Sequence, residues 1–132
     1  MSTPKIATAI ICEDVRIEEN GKHIIIGVYP SDIVVPETPA HVTVVLWLQL
    51  DDVGTHGKNF EFRGLVSGKE VVRGGFTVST SGGGERATIP LGKFPLIIEE
   101  EGDLRFDVRF ADGGRWRNAI AMPVKVRPRS TA

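Results

Sequence analysis

The sequence predicts an all-β domain, an antiparallel two-sheet β-sandwich of immunoglobulin-like or C2-like appearance, on three observations. Apolar residues alternate or cluster in short blocks about ten residues apart. Gly, Pro, Asn or Asp closes each block. No window shows the three-to-four-residue apolar spacing of an amphipathic helix.

The 132 residues amount to one domain, 1–132, and folding at that length buries about two thirds of the unfolded chain's surface. Strands are expected, in order, over Ile6 to Cys12, Val15 to Glu18, Lys22 to Tyr29, Ile33 to Val35, Val42 to Leu50, Asn59 to Val66, Glu70 to Ser79, Arg86 to Ile89, Leu96 to Glu99, Leu104 to Phe110 and Arg115 to Val126. "STSGGGE" at Ser79 to Glu85 reads as a mobile loop, and the terminal "RPRSTA" as a frayed end.

The first hairpin, "VRIEENGKHIII", carries Asn20-Gly21, the pair favoured where a type I′ turn needs positive φ at both positions. That turn sets Glu19 against Lys22, Ile17 against Ile24 and Val15 against Ile26, with the apolar residues on one face.

The run "VTVVLWLQL" places Val42, Val44, Leu46, Leu48 and Leu50 on one face and Thr43, Val45, Trp47 and Gln49 on the other. A strand apolar on both faces belongs at a sheet centre or against a partner, because at a bare edge it templates aggregation. Self-association through Val45 and Trp47 is therefore one expectation.

The late hairpin alternates inward Leu104, Phe106, Val108 and Phe110 with outward Arg105, Asp107 and Arg109. A loop from Asp112 to Gly114 pairs Phe110 with Trp116 and Phe106 with Ile120, so Trp116 turns inward and Arg109 faces Arg117. Arg105 and Arg115 share that outward face. Either acidic neighbours such as Glu61 and Asp107 interleave, or the four arginines grip an acidic protein segment or phosphate.

A formal net charge of −1 gives none of the broad positive field on which nonspecific nucleic-acid or membrane-surface binding rests. The most apolar run is about half the length of a bilayer-spanning helix. The single cysteine, Cys12, permits no internal disulfide, and the first residues lack the pattern of a secretory signal. The expectation is a cytoplasmic protein with neither a nucleic-acid nor a membrane partner.

Chemistry is sparse. Cys12 beside Glu13 and Asp14, with His23 nearby, has the residue types of a thiol nucleophile and base, but a cysteine in an Ile-rich strand is ordinarily an inert buried hydrophobe, and adjacent carboxylates raise its pKa. His23, His41 and His56 lack metal-ligand spacing. Glu99, Glu100, Glu101 and Asp103, with Asp51 and Asp52, could face calcium but read better as solvated turn charges. Gly82 to Gly84 lack the Lys-Ser/Thr of a phosphate loop, "PETP" at Pro36 to Pro39 ends a strand, and no Gly-x-Ser-x-Gly occurs. No catalytic residue, metal or cofactor is assigned.

The phrase "AIICEDVRIEENGKHIIIGVYPSDIVVP", the "LWLQL" strand and the "EGDLRFDVRF" hairpin together resemble an uncharacterised family of small bacterial and bacteriophage proteins. The resemblance implies a β-sandwich and carries no activity onto any residue. The expected function is a non-enzymatic protein-binding or assembly module, with itself or an acidic segment as partner. The alternative is a small ligand binder or a carboxylate- or thiol-based enzyme with a cleft at the strand ends.

Overall fold

The computed structural model describes residues 4–54, 57–80, 86–110 and 114–129. His56, Gly82 to Gly84, Asp112, Gly113 and the last three residues lie outside them. The strands are β1 (Lys5–Ile17), β2 (His23–Val28), β3 (Ile33–Val35), β4 (Ala40–Asp51), β5 (Lys58–Val66), β6 (Lys69–Val78), β7 (Ala87–Ile98), β8 (Gly102–Phe110) and β9 (Arg117–Val126). They form a four-stranded sheet ordered β2-β1-β4-β7 and a five-stranded sheet ordered β3-β9-β8-β5-β6.

β4 lies between β1 and β7, as its two apolar faces require. Val44, Leu46, Leu48 and Leu50 are buried in the core, each stabilising the fold by roughly 1.5–3 kcal/mol. From the other sheet Phe60, Phe62, Leu104, Phe106, Val108, Met122 and Val124 meet them. Phe94 of β7 joins the layers, its ring 5.3 Å from Phe62 and 6.0 Å from Phe106.

Outside the late hairpin, expectation and structure differ in four places. Residues 5–17 form one strand, not two, because the Glu13-Asp14 polar break only bends the chain. Residues 87–98 likewise form one strand across Pro90, Gly92 and Pro95. β7 is an end strand, where missing N–H donors are tolerated and a register shift absorbs the irregularity. The sandwich is not wholly antiparallel either, since β3 pairs parallel with β9, Ile33 against Val124.

The fourth difference is the first hairpin. The Gly21 N–H donates to the Glu18 carbonyl and the Glu18 N–H to the Lys22 carbonyl, both at 2.8 Å, closing a three-residue loop. Only Gly21 has positive φ, +85°, and Asn20 instead accepts the Lys22 N–H at its side-chain oxygen. This is the geometry of a turn followed by a glycine bulge and not of type I′. The register moves by one, so that Ile17 faces His23, Arg16 faces Ile24 and Asp14 faces Ile26.

Candidate functional site

The expected arginine face is rearranged by one extra residue. Phe106 pairs with Ile120 as read, but the ladder then slips, so Asp107 faces Asn118 and Val108 faces Arg117. The bulge at Ala119 reverses the parity of everything before it in β9. Trp116 therefore lies not in the core but on the outer face of the five-stranded sheet, and Arg117 does not oppose Arg109.

On that face Arg63 and Arg109 stand 4.3 and 4.2 Å from the Trp116 ring centre, and Arg73 stands 5.4 Å away. Beneath them Asp107, only 3% exposed, accepts from Arg63 Nε at 3.0 Å and from Asn118. Arg105 Nε lies 3.2 Å from the same carboxylate. Glu61 pairs with Arg109 and Arg73, and Glu70 takes Arg73 at 2.8 Å. Arg117 instead donates to the Pro4 carbonyl at 2.8 Å. Arg115 is exposed beside Trp116. Arg105 and Arg109 thus sit in an interleaved ion-pair lattice with fixed carboxylate partners.

The Cys12 region also departs from a catalytic arrangement. Cys12 is wholly buried, its sulfur facing the carbonyls of Asp14 and Val45 at 3.5 and 3.7 Å. Burial first, and then the Asp14 and Glu13 carboxylates, push the thiol above its ordinary value, against the Asp14 backbone contact. His23 does not face Glu18 or solvent. Its Nδ1 accepts a hydrogen bond from Trp47 Nε1 at 2.9 Å.

That bond requires a bend. Trp47 pairs with Ile10 and His23 with Ile17, positions that a straight β1 would hold ~23 Å apart. β1 therefore turns the hairpin over the outer face of the four-stranded sheet, where Cys12 and Val45 are buried outside the main core. Within one chain Val45 is buried and Trp47 partly buried. Among the described residues no group of three His, Cys, Asp or Glu is placed to hold a metal ion.

Exposed apolar surface appears elsewhere, on β2, whose importance the sequence reading missed. Ile24, Ile26 and Val28 are 44%, 38% and 48% exposed. The signal was the run "HIIIGV", too apolar for a half-solvated hairpin strand. The other end strands are protected against adding a neighbour. β7 holds Pro90, Pro95 and an irregular register with Lys93, β6 carries Lys69, Glu70 and Arg73, and β3 has three residues followed by Pro36. β2 contains neither proline nor Lys, Arg, Asp or Glu.

Comparison with known proteins gives a match over residues 7–125 to the model of a family of unknown function, DUF6941. No curated protein matches.

Proposed function

The chain belongs to DUF6941, a family of unknown function, and we propose that it is a non-enzymatic assembly module that takes a partner's strand at the free edge of β2. The carrying observation is the contrast among the four end strands of the two sheets, of which β2 alone is longer than three residues and free of proline, Lys, Arg, Asp and Glu. Ahead of Gly27, where φ is +67° and the extended backbone breaks, its outer backbone groups offer the hydrogen bonds of strand addition, and the exposed Ile24 and Ile26 offer apolar contact.

The arginine face supports an acidic partner less well, because Asp107, Glu61 and Glu70 already pair with Arg63, Arg73, Arg105 and Arg109. The enzyme reading lacks an accessible nucleophile, Cys12 being buried with a raised pKa.

Sedimentation in lysate of the source cells tests the proposal. Tagged wild-type protein is expected to run well above its 14.4 kDa mass, and the Ile24→Lys/Ile26→Lys variant as a monomer of nearly unchanged stability, within about 0.5 kcal/mol. Monomeric wild-type protein, or a complex indifferent to the two lysines, overturns it.

A further inference from the structure

We infer that the first hairpin is a hinged flap latched by uncharged His23, and that protonation of His23 releases it from the outer face of the four-stranded sheet. The inference is independent of strand addition at β2. It rests on a hinge, a cover and a latch that the fold places on one hairpin.

The hinge lies where both strands depart from regular extension. Cys12 pairs with Val28 and Asp14 with Ile26, which leaves Glu13 opposite Gly27. Gly27 has a φ of +67°, and the Glu13 side chain stands 2.7 Å from where a Gly27 Cβ would be. Extended backbone has negative φ, so β2 turns at the level where β1 bends. Beyond that level the sheet no longer holds the hairpin, because the pairing of β1 with β4 ends at Cys12 opposite Val45. What the flap lies on is apolar: Cys12 and Val45 are buried there, and Trp47 partly buried, outside the main core.

Two side-chain contacts tie the flap down. Lys93 Nζ reaches Asp14 at 3.5 Å beside the hinge, and Trp47 Nε1 donates to His23 Nδ1 at 2.9 Å nearer the tip. An indole nitrogen can only donate, so His23 must present a bare Nδ1. The imidazolium ion carries protons on both nitrogens, and turning its ring over restores no acceptor. Protonation therefore removes the bond and leaves two partly desolvated donors face to face. Histidine ordinarily gains that proton between about pH 8 and pH 5.

No neighbouring charge offsets the loss. Trp47 stands beside Ile10 of β1 and Pro90 of β7, and the next pairs along are Gln49 with Thr8 and Thr88, all uncharged. The charged residues around His23 are Arg16, Glu18 and Lys22 of the hairpin and Lys93 of β7. Arg16 and Lys93 both turn to Asp14, and Glu18 is exposed. Among the described residues no carboxylate forms an ion pair with the imidazole.

The test follows Cys12 labelling by a pyridyl disulfide, a thiol reagent that also works in acid, in the purified full chain. At each pH the rate is divided by that of the urea-unfolded chain, which removes the thiol's own response. From about pH 7.5 to pH 5 the ratio is expected to rise about fivefold. His23→Asn, whose side-chain oxygen takes the place of Nδ1 without titrating, is expected to stay slow at both, and His23→Ala to be fast at both. In the wild-type chain the Trp47 indole N–H resonance is expected to shift with the same midpoint as the His23 ring. If His23→Asn labels fast at both pH values, that resonance decides. An unchanged ratio in the wild type, an equal rise in His23→Asn, or an indole resonance indifferent to the His23 midpoint overturns the inference.

Discussion

Trp47 Nε1 donates a hydrogen bond to His23 Nδ1 at 2.9 Å, tying the tip-proximal end of the first hairpin to the central strand. The rings meet edge to face, with centroids 6.1 Å apart. The hairpin so held lies over Cys12. His23→Ala is expected to cost about 1 kcal/mol in urea unfolding. It should also raise the rate at which a thiol reagent labels Cys12 by about fivefold, the factor that ~1 kcal/mol of lost local closure produces. Labelling as slow as in the wild type would show that the bond does not hold the cover in place.

Alkaline stability follows from the same thiol. Burial raises Cys12 above its ordinary 9.0 and, with Glu13, raises Tyr29 above its ordinary 10.0. On raising the pH the unfolded chain releases these protons first, so it binds fewer than the folded chain and stability falls. The contribution is whole below the unfolded value and lost as pH rises through the elevated folded one. Denaturant midpoints measured from neutral pH upward should decline, and Cys12→Ala should make the decline shallower. The same slope in that variant would assign the whole decline to other groups.

Asp107 is the keystone of the outer lattice, since its 3% exposure leaves Arg63 and Asn118 to satisfy it. Asp107→Ala strands a half-buried guanidinium and is expected to destabilise by about 2–3 kcal/mol in urea unfolding. Trp116→Ala removes only the surface on which Arg63 and Arg109 stack, and about 1 kcal/mol is expected to go with it. A larger effect from Trp116 than from Asp107 would mean that the indole organises the face.

The first turn separates two geometries by a pair of alanine variants. Gly21 has open space around its missing Cβ but a φ of +85°, so Gly21→Ala is strained by conformation alone. About 1 kcal/mol of lost stability is expected there, against less than about 0.5 kcal/mol for Asn20→Ala. Equal losses in thermal unfolding would restore the type I′ turn, which needs positive φ at both residues.

Alternation made most of the fold legible. The β4 core residues, the inward set Leu104, Phe106 and Val108, and the pairing of Phe106 with Ile120 all follow from period two. What period two cannot show is a place where the count changes. The residue inserted at Ala119 has no compositional mark, and it sent Trp116 to the opposite face. Asn20-Gly21 marked a turn but fitted two loop lengths, one residue apart in register. At Pro90 and Pro95 the breaker residues were read as ends, because only sheet order reveals that β7 lies at an edge where proline is tolerated. The exposed face of β2 was hidden for a related reason, since burial of an isoleucine depends on which strand, if any, lies beyond it.

The parallel pairing of β3 with β9 places a constraint on how the protein is made. Ile33 leaves the ribosome about ninety residues before its ladder partner Val124. At the usual pace of synthesis, roughly 5–20 residues per second, that is an interval of order ten seconds. Throughout it the five-stranded sheet lacks its β9 layer, and β3, buried in the finished protein through Ile33 and Val35, has no strand to join. Of the strands in the first third of the sequence, β3 alone waits for β9, because β1 and β2 pair within the other sheet.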